Sequence, residues 1–168
     1  MENKIAILAL LALSMTSCND NVSIKNVTIT EIDSLKLRIQ ELESEIENNQ
    51  LNLARFDTVD FEAWNKKDIE LFNRLHDENV VMYYPNGKIE KGLKAHTDWA
   101  NHSFTTGEGF VRVKSHPIKV ASNDWTAVIG INEIPQKDGT IKEAPMATFS
   151  KWSNGKMIEE HLFFETID

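Results

Sequence analysis

The chain has 168 residues, 41% hydrophobic and 26% charged, with 26 acidic and 18 basic residues, a net charge of −8 and one cysteine. That length suits one ordinary domain with an appendage rather than two full domains, since single cores usually organise about 100 to 200 residues. The acidic balance repels phosphate backbones and argues against a nucleic-acid partner, while a lone cysteine excludes internal disulfides and multi-thiolate metal sites.

Ile5 to Leu13 is an uncharged apolar run of nine residues, too short for a bilayer core that needs about 20. It fits the hydrophobic part of a signal peptide instead, with Lys4 before it and the small residues Thr16 and Ser17 just ahead of Cys18. Residues 1–17 resemble a bacterial lipoprotein signal, cut so that Cys18 becomes the N-terminus and carries acyl chains such as palmitate; Met15 departs from the usual Leu. The implied location is the cell envelope, lipid-anchored at a membrane surface. The alternative is a plain secretory signal and a secreted or periplasmic protein. Residues 18–30 are polar and suit a tether. Over 31–52 a heptad stripe follows, with Ile32, Leu35, Ile39, Leu42 and Ile46 at spacings of three and four. Ile at a and Leu at d favour a parallel pair of helices, which implies a homodimer through a coiled coil. An amphipathic helix packed on its own domain is the other reading.

From Leu53 the pattern breaks into short segments with turn signals. Leu53, Phe56, Val59, Ala63 and Trp64 form one helical face, and Asp68 suits an N-cap for a second helix through Leu75. Val80 to Tyr84 reads as a strand closed by Pro85-Asn86-Gly87. A third helix fits Leu93 to Ser103. Strands are expected over Phe110 to Ala121, Trp125 to Ile134, Glu143 to Trp152 and Met157 to Ile167, the last pair joined by a Ser153-Asn154-Gly155-Lys156 turn. Helices followed by a long antiparallel meander predict an α+β domain over 53–168.

Within that domain, the run Trp64-Asn65-Lys66-Lys67-Asp68, the segment LHDENVVMYYPNG, Gly92, the segment NDWTAVIG and the segment MATFSKWSNGKMIEEHLFF resemble the SnoaL-like branch of the NTF2-like superfamily. The resemblance implies a cone, a curved antiparallel sheet wrapped around N-terminal helices, here preceded by the heptad helix. It also implies an apolar pocket. Members of the superfamily include polyketide cyclases, dehydratases, ketosteroid isomerases, epoxide hydrolases and noncatalytic binding or dimerisation modules, so the fold implies a pocket without naming a reaction.

The chemistry most often done in such cones is proton transfer beside a carbonyl, of cyclase, isomerase or dehydratase type, which needs a desolvated base and hydrogen-bond donors for the enolate oxygen. The resemblance places an aromatic residue facing the cavity where this chain has His161, the leading base or donor; a structural imidazole is the alternative. Glu133 is a second candidate, or simply the solvated end of a strand. Tyr84 alternates with Val80 and Met82 and is placed to polarise a carbonyl if that face is inward. Asp60, at helical spacing between Phe56 and Trp64, is expected to reach the interior with a raised pKa. Trp64, Phe72, Met82, Trp99, His102, Met146, Phe149 and Phe163 are the expected pocket lining, suited to a flat hydrophobic small molecule. His96, Trp99 and His102 share a helix face, but two histidines without a third ligand signature predict no metal, and no nucleotide or cofactor motif appears. His76 reads as an imidazolium at a helix C-terminus, and His116 and Asp57 as solvent-facing.

Overall fold

The structure, a computed structural model, describes residues 29–105 and 110–164. The signal 1–17, Cys18 and most of the tether lie outside the described residues, as do Gly107, Gly109 and the strand end at Glu165 and Ile167. The chain forms two units, Met1–Leu37 and Arg38–Asp168. The described part of the first unit is helical, with Ile32 and Leu35 exposed and Lys36 paired to Asp33.

Helix α1 spans Ile29–Asp57. In the second unit its heptad residues Ile39, Leu42 and Ile46 are also exposed, and burial begins at Asn52 and Phe56. The chain then tightens into a π-helical turn, Thr58–Trp64, in which Asn65 N donates to Asp60 O and Asp68 N to Ala63 O, five residues back. Such turns are rare and concentrate at functional sites. Helix α2 is Ile69–Leu75, capped by the Asp68 carboxylate, which accepts from Leu71 N at 2.9 Å as the sequence predicts. Strand β1, His76–Tyr83, starts four residues earlier than expected, and a short β2, Ile89–Lys91, pairs with it after the Pro-Asn-Gly turn. Helix α3 is Leu93–Thr105. Strands β3 (Arg112–Ser122), β4 (Trp125–Pro135), β5 (Ile141–Ser153) and β6 (Lys156–Phe163) follow.

The six strands form one curved sheet in the order β2-β1-β6-β5-β4-β3. The expected meander β3 to β6 is antiparallel throughout, but β1 lies parallel to β6. Asn154 and Gly155 both have positive φ, 50° and 77°, the backbone that a two-residue Asn-Gly hairpin requires. The π-helical turn and helices cover one face of the sheet, where Phe56, Val59, Ala63, Phe72, Ala100, Val128, Trp152 and Met157 make the core. Asn65 clamps the edge strand β3: its Nδ2 donates to Val113 O at 2.7 Å and its Oδ1 accepts from Val113 N at 2.9 Å. The other face carries exposed Phe149 and Phe163.

Three register shifts, one in β6 and two in β3, set which side chains reach the core. In β6 the pairing skips a residue between Met157 and Glu159, and in β3 the register shifts between Val113 and Ser115 and again before Ile118. A one-residue bulge reverses the parity of every side chain beyond it. Met157 and Glu160 are therefore both buried although they are three apart, and His161 takes the opposite face.

Candidate functional site

The covered face of the sheet holds two groups of polar side chains. In the first, His116 of β3 projects inward against the π-helical turn, with a side chain only 2% exposed. Its Nδ1 lies 2.8 Å from Asp57 Oδ1 and its Nε2 2.8 Å from Asp60 Oδ2. Both ring nitrogens face carboxylates, so both donate, and only the imidazolium can do that. The ring also packs on Phe61 and Phe56, with centroids at 4.5 and 5.4 Å. Burial opposes the charge, but the hydrogen bonds to Asp60 and Asp57 outweigh it and hold the His116 pKa above its ordinary value. Burial likewise raises Asp60 against the pull of His116, while Asp57 is lowered because the Lys119 and His116 hydrogen bonds overcome its partial burial. The reading of His116 as solvent-facing is corrected, because the bulge after Val113 turns the imidazole in, whereas Asp57 stays about one-third exposed. Pro117 was a usable signal, since a proline within a strand marks an edge or a bulge.

The second group joins three elements. His76 at the head of β1 and His96 on α3 are 1% and 2% exposed, and Glu160 on β6 is 9% exposed. The His76 Nδ1–H donates to Phe72 O at 2.7 Å. Burial depresses the His76 pKa to about 4 and that of His96 to about 2, the latter with help from His76, so both rings are neutral. Burial, and then the negative charge of Asp60, raise Glu160 to about 8. The reading of His76 as an imidazolium at the helix C-terminus is corrected: the ring is buried in the core, and burial keeps it neutral.

The remaining sequence candidates are dispersed. His161 stacks on Tyr83 at 4.2 Å, and its Nε2 lies 2.7 Å from Glu159 Oε1, on the sheet face away from the core. The inward orientation expected for it belongs to Glu160. His161 and Tyr84 do line one open hollow of about 640 Å³, together with Tyr83, Ile129, Ala147 and Phe163. The Tyr84 hydroxyl donates to Glu90 Oε2 at 2.7 Å. Glu133 sits half-buried near the end of β4 opposite Arg112 and Glu143. Of the expected lining, Phe72 and Met82 are buried and Trp64, Trp99 and Met146 are half-buried. Phe149 and Phe163 are exposed on the outer face, and His102 is exposed on α3, so these three do not join the interior. Trp64 stacks on Trp99 at 5.1 Å and Phe110 at 5.6 Å, forming an aromatic wall, and its Nε1 donates to Val111 O.

No family model matches the sequence, and no curated protein matches it. Solved structures do. A SnoaL-like polyketide cyclase candidate from Jannaschia sp. CCS1 superposes with a TM-score of 0.61 at 15% identity, covering 70% of this chain and 87% of that one. A ketosteroid isomerase candidate from Kribbella flavida gives 0.60 at 14% identity, covering 72% and 82%. TerC co-crystallised with polyporic acid gives 0.60 at 17% identity, covering 68% and 92%. Others carry the name NTF2-like. The chain has the NTF2-like fold.

Proposed function

We propose that this chain is an exported, lipid-anchored SnoaL-like domain that binds a hydrophobic small molecule and transfers a proton beside its carbonyl. The observation that carries the catalytic part is Asp60: a carboxyl with a side chain 15% exposed and a raised pKa, hydrogen-bonded to an imidazolium that a second carboxylate, Asp57, holds in place. Asp60 takes the proton from carbon, and His116 positions it and steadies its charge. The Trp64, Trp99 and Phe110 wall offers a flat apolar surface for the substrate and excludes water. TerC, of similar fold, was crystallised with polyporic acid, which supports small-molecule binding here. Export and anchoring rest on the apolar run before Cys18.

The test of catalysis is deuterium uptake. A panel of flat aromatic ketones in heavy water is followed by proton NMR with the wild type and Asp60→Asn. We expect exchange beside the carbonyl that falls at least about 100-fold in the variant, the lower end of what a positioned base contributes. No exchange above buffer with any ketone, and no compound retained by the purified protein on mass spectrometry, would overturn it. Fatty-acid labelling of cells tests the anchor: label is expected on the wild type and absent from Cys18→Ser.

A second reading, a binding or dimerisation module without catalysis, is favoured by the open hollow beside His161 and by the exposed Phe149 and Phe163 on the same face.

A further inference from the structure

Beyond proton transfer at Asp60, the second polar group has the composition of a metal centre. We propose that His76, His96 and Glu160 bind a divalent first-row transition-metal ion in the interior of the domain.

Three observations support it. One ring nitrogen from each histidine and one carboxylate oxygen of Glu160 lie within 4.8 Å of one another, brought from the head of β1, from α3 and from β6. An ion with bonds of about 2.1 Å in tetrahedral geometry holds its ligand atoms about 3.4 Å apart, so the trio, within 4.8 Å, closes by no more than about 1.4 Å. Rotation about the flexible Glu160 side chain supplies much of that movement. Second, His76 Nε2 and both ring nitrogens of His96 are buried with no hydrogen-bond partner among the described residues. Leaving such atoms unpaired in a core is costly, and an ion would satisfy His76 Nε2 and one of the two His96 nitrogens. Third, His76 has the orientation of a ligand. Its Nδ1–H is given to the Phe72 carbonyl, which leaves Nε2 as the nitrogen free to ligate, the arrangement that positions most metal-bound histidines.

The donors select the class of ion. Two neutral imidazoles and one carboxylate suit Zn(II), Fe(II), Co(II) or Ni(II), whereas Ca(II) and Mg(II) prefer sites made of oxygen. Three protein ligands leave at least one position open for water or a substrate oxygen. A cation there also meets Glu160, for which no basic partner is found among the described residues and whose charged neighbour, Asp60, is acidic. Phe72 and Trp99 flank the cluster, with ring centroids 4.7 and 5.6 Å from His96, and keep it dry.

The full chain, stripped with a chelator, is titrated with Zn(II) against a chromophoric competitor. One equivalent is expected to bind, with affinity at least about 100-fold lower in His96→Ala and in Glu160→Gln, since loss of a mere supporting partner already costs 10–100-fold. His102→Ala, which alters an exposed histidine on the same helix, is expected to bind as the wild type does. Where a core variant does not fold, nitrogen-15 NMR of the wild type decides. Zn(II) is expected to move the His76 Nε2 resonance and one ring nitrogen of His96. Failure of the wild type to take up Zn(II), binding that survives both substitutions, or shifts confined to His102 and His161 overturns the proposal. Deuterium uptake that persists in the stripped protein leaves the Asp60 reading standing whichever way the metal result falls.

Discussion

Replacing His116 by alanine removes the centre of the carboxylate–imidazole–carboxylate chain, and the structure sets the size of the loss. Hydrogen bonds that involve charged groups contribute about 1.5–3 kcal/mol each, and leaving one member of a buried ion pair uncompensated costs about 3–5 kcal/mol. Asp57 adds little to this. It is about one-third exposed, where solvent screens its charge, and it keeps Lys119 Nζ at 2.5 Å. Asp60 is the member left buried and unpaired. These contributions overlap, so the expected destabilisation is about 3–5 kcal/mol overall, with a melting temperature lower by about 10–20 °C for a domain of this size. The same network sets a pH dependence. The folded His116 pKa lies above its unfolded value of 6.5, so the folded protein keeps a proton that the unfolded chain has released. Its contribution is complete below that value and is lost as pH climbs through the folded pKa. Urea denaturation of the wild type and His116→Ala at about pH 6 and about pH 9 measures both effects. Destabilisation under about 1 kcal/mol, or a pH slope identical in the two proteins, would refute the reasoning.

Other consequences are as direct. Asn65→Ala breaks both hydrogen bonds to Val113 and is expected to cost about 2 kcal/mol, with faster hydrogen exchange at the Val113 amide. An unchanged exchange rate would show that the clamp does not hold the edge strand. Gly155→Ala puts a Cβ on a residue with φ of 77° and only 3.3 Å from the Arg55 guanidinium, so a loss of about 1–2 kcal/mol is expected on thermal melting. Leu42→Lys with Ile46→Lys places charges on the exposed apolar stripe of α1. If that stripe pairs two chains, sedimentation of the wild type gives a dimer and of the variant a monomer. A wild type that sediments as a monomer refutes the paired helix.

What the sequence determined by itself was whatever depends on neighbours along the chain. Asp68 caps its helix because a short carboxylate one position ahead of a helical face reaches the first free N–H groups. Asn154-Gly155 makes a tight hairpin because those residues tolerate positive φ. The α+β order and the interior position of Asp60 follow from the same local periodicities. Only the tertiary structure decided which strand side chains face inward. Alternation predicts a face only while each residue has one partner across the sheet, and the bulges in β3 and β6 are set by the neighbouring strands and the π-helical turn. A shift of one residue brought His116 in from the solvent side and exchanged His161 for Glu160. The parallel contact of β1 with β6 joins residues some 80 positions apart in the chain, and no local pattern encodes it. That contact and the packing of α3 set His76, His96 and Glu160 around a common centre, where desolvation keeps the imidazoles neutral and the carboxyl reluctant to ionise.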